Sequence, residues 1–258
     1  MKRFLGLLQK EWHLYRVWIF ISIVLGLAVI IGLPPLEDHY FKTALTIEGL
    51  RFGLMIVILL VGSMNAIAQF FVSLRADIKV KEIWLHSSSS IYFLVGVKLL
   101  FTISWVVIFS FVFAGIGIYN VPSILIGTAS ELLLLQCFIT LITTLVFLSM
   151  NVTCILFYAF YLFLKRYIGR VAIVIVTIAF FLSFWLCFKF IETPIYASLF
   201  YHGEISLDAL FRYFPNLTNK EISLEWNRYY IVEDIFMWAQ IIVMYVVGTK
   251  WLEKVITA

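Results

Sequence analysis

The chain of 258 residues is 63% hydrophobic and only 13% charged, with a mean hydropathy of +1.03. A soluble domain is about half apolar and a quarter charged, so this composition excludes one and implies an all-α integral membrane protein with room for about six spans of about 20 residues. The formal charge of +4 is too small to implicate nucleic acid as a partner.

Residues 1–16 have the pattern of an amphipathic helix. At 100° per residue Phe4, Leu5, Leu8, Trp12 and Tyr15 share one arc, and Lys2, Arg3, Gln9, Lys10, His13 and Arg16 the other. Such a helix is expected to lie in the headgroup plane, facing anionic lipid with its cations. A six-span domain over 17–258 follows. The first span is expected at about Val17 to Leu33, closed by Pro34 and Pro35, and it should stay in the mature protein because no small-residue cleavage site follows it. The second runs from about Phe52 to Leu74.

The polar interval 75–90 comes next. In it Ala76, Val80, Ile83 and Trp84 fall on one side of a helix, Ile78 and Leu85 form a smaller second stripe, and the serine run 87–90 offers N-cap oxygens to the following span. A helix with two apolar stripes has two surfaces to satisfy. It is either an interfacial linker or a docking helix for a cytoplasmic partner.

The third span is expected at about Ile91 to Tyr119. The apolar run 129–164 is too long for one perpendicular crossing, yet it lacks the turn residues that a hairpin needs. It reads as one span that tilts, breaks near Asn151, or projects from the membrane. The fifth span is about Val171 to Phe190 and the sixth about Ile235 to Thr249, separated by a polar and aromatic segment, 191–234, in which Ile205–Phe214 has the pattern of a short amphipathic helix. Lysine and arginine concentrate in segments 1–16, 75–90, 165–170 and 250–258, which puts both termini in the cytosol.

No catalytic set is present. There is no GxxxxGK[ST] loop, no HExxH, no histidine inside a span, and no metal-ligand spacing around the three cysteines. The spans do carry polar stripes. Asn65 and Gln69 lie on one face of the second span, and Gln136, Thr140, Thr143 and Asn151 on one face of the fourth. In hydrocarbon these groups either glue helices together or line a substrate path.

The pattern resembles the membrane subunits of bacterial ABC exporters, the type-2 permease class. Four features carry the resemblance: an N-terminal helix ending in Lys10-Glu11-Trp12, six spans with both ends inside, a cytoplasmic helix between spans two and three (Asp77–His86) leading into a serine cap, and a lysine early in span three, Lys98. Serine stands where proline is common in that cap, and the segment before span six is longer than a minimal permease needs. The resemblance implies a transport subunit without its own ATPase motif and with no cofactor of its own, ATP being bound by a separate cytoplasmic ATPase. It also implies a second permease subunit, identical or not, and a coupling helix seated in the ATPase through Ile78, Val80, Trp84 and Leu85, with Lys79, Lys81 and Glu82 as polar contacts. The competing expectation is a membrane scaffold or sensor that recruits cytoplasmic proteins through the same helix.

Overall fold

The computed structural model describes residues 2–40, 47–79, 90–120, 128–206 and 228–257. These form helices α1 (Lys2–Tyr40), α2 (Ile47–Lys79), α3 (Ile91–Tyr119), α4 (Ala129–Ile168), α5 (Ala172–Ile191), α6 (Pro194–Phe200) and α7 (Ile231–Thr257), with a short antiparallel pair, β1 (Glu204–Ser206) and β2 (Arg228–Tyr230). Among the described residues, five helical stretches are long and apolar enough to cross a membrane: Phe4–Pro35, Gly49–Lys79, Ile91–Tyr119, Ala129–Ile191 and Ile231–Thr257. The protein is therefore a helical, multi-pass membrane protein. The fourth stretch contains both α4 and α5, joined by a single 3-10 turn, Gly169–Val171.

The chain divides into two compact units. The first contains α1, α2, α3 from Phe93 onward, and α4 as far as Leu148. Here α1 differs from expectation. The amphipathic segment and the first span are one unbroken helix, and Pro34 and Pro35 lie inside it rather than ending it. The reason is visible in its buried stripe: Glu11, Tyr15, Ile19, Gly26 and Ile30 follow one another at helical spacing across the expected break at residue 16, and no glycine or proline interrupts the chain there. On that stripe the charged Glu11 is buried beside Tyr15, while Leu5 and Trp12 of the expected apolar arc are exposed.

Helix α3 packs by means of an aromatic ladder, Trp105–Phe109–Phe113. Phe109 fills the notch left by Gly62 of α2, and Phe113 the notch left by Gly26 of α1. A Cβ at either glycine would come within 2.2 or 2.5 Å of the opposing ring. The thioether of Met55 fills a third notch at Gly117 of α3. Small residues let helix axes approach closely, which is how helices associate in a solvent as apolar as their own side chains.

The second unit holds α4 from Ser149, α5, α6, the strand pair and α7. The 40 residues of α4 form one unbroken helix of about 60 Å, with no interruption near Asn151. It ends at Gly169, whose φ of +59° lies in the left-handed region. A side chain at this residue would meet nothing within 4 Å, so a substitution there tests backbone conformation alone. Gly169→Val is expected to lower stability by about 1–2 kcal/mol, and Gly169→Asn by clearly less, as read from thermal unfolding in mild detergent. Gly248 lets α7 lie against Ile155 and the backbone of Leu156, with Trp251 packed on Phe160 and Phe163.

Helix α6 was not expected. Its Thr193 side chain accepts the Tyr196 backbone N–H, and Pro194 occupies the first helical position, a start signal legible in the Thr-Pro pair. Nor is Ile205–Phe214 wholly helical. Its first two residues belong to β1, which follows Gly203 in the left-handed region and pairs Glu204 with Tyr230 and Ser206 with Arg228; residues 207–214 lie outside the described residues.

Candidate functional site

The most unusual feature of the first unit is a buried ion-pair knot. Glu11 of α1 and Lys98 of α3 are 1% and 3% exposed, in a membrane protein where isolated charges are expensive. Each finds a full set of partners. The three ammonium protons of Lys98 are donated to Glu11 Oε1, Ser73 Oγ and Asp77 Oδ2, the last at 2.9 Å. Ser73 accepts from Lys98 and donates to Glu11 Oε2 at 2.7 Å. Asp77 also receives Lys10 through its other oxygen at 2.6 Å. Two cations and two carboxylates are thereby neutralised by one another, and every donor of the buried ammonium is used.

Local structure brings the members together. Ser73 and Asp77 are four residues apart on α2 and so share a face, as do Glu11 and Tyr15 on α1. The Tyr15 hydroxyl donates to the Gln69 carbonyl at 2.7 Å, one turn before Ser73, and its ring packs against Phe101 of α3. The knot therefore fastens three helices where α2 ends and α3 begins, the two stems of the segment 80–89.

A second feature lies on the same α1–α2 seam. Leu14, Tyr15 and Trp18 of α1, with Asn65, Ala68, Gln69 and Val72 of α2, line a half-open cleft of about 200 Å³. Asn65 donates to Ser22 of α1 at 2.7 Å. The Gln69 side chain is buried, and neither its carbonyl oxygen nor its amide nitrogen has a partner among the described residues.

The residues singled out in the sequence thus fall in separate places. Asn65 and Gln69 line the cleft together. Gln136 of α4 donates to the Phe111 carbonyl of α3 at 2.8 Å, so it ties two helices. The Thr140 and Thr143 hydroxyls bond back to the carbonyls of Gln136 and Ile139 on their own helix. Asn151 belongs to the second unit, fully buried and without a partner among the described residues for either side-chain polar atom. Of the expected docking residues, Ile78 and Lys79 are the last two of α2. Val80, Lys81, Glu82, Trp84 and Leu85 lie outside the described residues. Among the described residues no group of histidine, cysteine and carboxylate side chains could hold a metal ion.

In the second unit, Tyr196 of α6 donates to Glu233 of α7 at 2.7 Å. Burial first, and then the carboxylate beside it, raise the Tyr196 hydroxyl far above its ordinary range, so it stays a donor at any physiological pH. Phe190, Phe200 and Tyr201 pack around its ring, making this a structural corner.

No family model matches the chain, and neither a curated protein nor a solved structure does.

Proposed function

We propose that the chain is the membrane-spanning permease subunit of an ATP-driven exporter of the type-2 ABC class, working with a separate cytoplasmic ATPase and a second permease subunit. One observation carries this reading. Glu11 and Lys98 are two of the residues on which the resemblance rests, and they meet in one buried knot although 87 positions separate them. Two marks that are independent along the sequence are thereby parts of one device, and it stands at both stems of 80–89, the segment expected to dock on the ATPase.

In this reading the chain crosses the membrane six times, α4 and α5 counting separately on either side of the Gly169–Val171 turn, and both termini are cytoplasmic. ATP binding closes the partner ATPases and displaces the docking segment. Because Asp77 and Lys98 flank that segment, pair with each other and are tied to α1 through Lys10 and Glu11, displacement reaches α1, α2 and α3 together rather than being absorbed by a loose loop. The chain performs no covalent chemistry; its task is to move helices.

Pull-down of the tagged, full-length protein from its native membrane in mild detergent tests the reading. A Walker-motif ATPase is expected to co-purify. Trp84→Glu should weaken its recovery by roughly thirtyfold, as expected when a central aromatic anchor worth about 2 kcal/mol is lost. Recovery of folded protein with no ATPase, but with other cytoplasmic proteins, would replace the permease by a recruiting scaffold.

A further inference from the structure

In the second unit α4 and α5 form a helical hairpin whose tip is basic. Phe157 of α4 meets Phe180 of α5 edge to face, with ring centroids 5.2 Å apart, so residues about equally far from Gly169 on the two arms stand level. The long apolar run stops at Leu164 on α4 and resumes at Val171 before α5, at nearly one height. Between them stand Lys165, Arg166 and Arg170, and every residue from Lys165 to Val171 is exposed. No Asp or Glu occurs from 132 to 191 to offset these cations.

Helix α7 brings a further cation to the same height. It runs parallel to α4, Gly248 meeting Ile155 and Trp251 meeting Phe160 and Phe163. The exposed Lys254 follows Trp251 by three residues and is therefore level with the last turn of α4. Glu253 is the one acidic side chain of 160–175 and 248–257.

Two features make the partner of this tip a lipid surface rather than an acidic protein. The first is length. The 20 residues of α5 span about 30 Å, the thickness of the hydrocarbon core, and its first residues Ile173 and Val174 are already exposed apolar side chains. The tip thus stands where the hydrocarbon ends. Its three cations lie within four residues of Gly169, or within about 6 Å along a helix axis, and the headgroup layer is about 5–7 Å deep. The second feature is the company the cations keep. Tyr167 and Val171 are 70% and 58% exposed among them, and Lys165 Nζ lies 5.6 Å from the centre of the Tyr161 ring. Tyrosine beside Lys and Arg is the chemistry of the boundary between acyl chains and headgroups, whereas water would leave those apolar surfaces uncovered. Phosphate oxygens accept charge-assisted hydrogen bonds from guanidinium and ammonium groups. A zwitterionic lipid brings a cation of its own against the cluster, and an anionic one does not.

We propose that the tip of the α4–α5 hairpin binds the headgroups of anionic phospholipids through Lys165, Arg166 and Arg170, with Lys254 beside them and Tyr167 seated at the acyl boundary. This rests on the membrane placement of the chain and not on the permease reading.

The full-length protein, reconstituted in vesicles of phosphatidylethanolamine and phosphatidylglycerol, would be extracted in mild detergent and its retained lipids weighed by native mass spectrometry. Wild type is expected to retain phosphatidylglycerol in excess of its share of the vesicle. Arg170→Gln should lower that excess roughly fivefold, the worth of one cation near an anionic surface. Lys165→Gln with Arg170→Gln should bring the retained lipid close to the vesicle ratio. Both side chains are exposed, so the melting temperature should hold. Lys189→Gln, at the other end of α5, should leave the excess as it is. An unchanged excess in the double variant overturns the proposal. A second measurement avoids extraction. A nitroxide on Tyr167→Cys, in a background without the three native cysteines, is expected to be relaxed by a nickel chelate tethered to lipid headgroups. Relaxation by a free aqueous chelate alone overturns the proposal, because it would lift the tip clear of the membrane and give its cations to a soluble acidic partner.

Discussion

Lys98→Met is expected to cost the protein about 3–5 kcal/mol, enough to remove most of the folded material. The loss does not come from the lysine's own packing. Methionine fills nearly the same space, but Glu11 loses its one cationic partner among the described residues while remaining 1% exposed, and Asp77 keeps Lys10. The diagnostic variant is the double substitution Lys98→Met with Glu11→Gln. It removes both buried charges at once and leaves the more exposed Lys10–Asp77 pair intact, so it should recover to within about 1–2 kcal/mol of wild type. Folded yield in detergent and thermal unfolding provide the readout. If the two single substitutions simply add, the residues are not paired and the knot is misassigned. The conservative Lys98→Arg should fall between, since a planar guanidinium does not reproduce three donors converging from one nitrogen.

The second large effect concerns α3 and its neighbours. Gly62→Leu should destabilise the protein by at least about 2–3 kcal/mol, because the new side chain must enter the volume of the Phe109 ring, which is itself buried. Phe109→Ala fails for the opposite reason. It empties the notch and should cost about 3–5 kcal/mol in lost packing. Combining Gly62→Leu with Phe109→Ala places a leucine in the space the ring vacates, and the pair should be more stable than either single variant. Thermal unfolding of all three settles it. Failure of the double variant to improve on Phe109→Ala would mean that the two positions do not face each other. A notch of this kind matters more in a membrane than in a soluble core, because lipid offers side chains an apolar setting whether or not the helices meet.

Much of this architecture is legible in the sequence, and the parts that are not share a cause. Apolar runs locate the long helices, because crossing a membrane imposes a length and a composition that few other structures share. The Ala129–Ile168 helix is uninterrupted for the reason its sequence suggests, namely the absence of turn residues. The burial of Glu11 is not legible in the sequence. The side chain is buried because Lys98 and Ser73 complete its hydrogen bonds, and partners so far along the chain leave no periodic trace. Asn65 and Gln69 show both outcomes of one pattern. Their shared face is correctly read from helical spacing, yet only the fold tells that Asn65 is answered by Ser22 while the Gln69 amide is not. The Thr193-Pro194 start of the short α6 helix was available in the sequence, but it lay hidden in a segment whose mixed composition carries no other order.

The neutrality of the knot has an electrical consequence. Lys10, Glu11, Asp77 and Lys98 sum to zero, so when they move as one body they carry no net charge through the membrane field. Each uncompensated charge would be worth about 2.3 kcal/mol per 100 mV across the full thickness. The knot itself therefore adds no voltage dependence to a shift of the three helices it joins. Loss of any one of the four charges would make the same motion voltage-dependent.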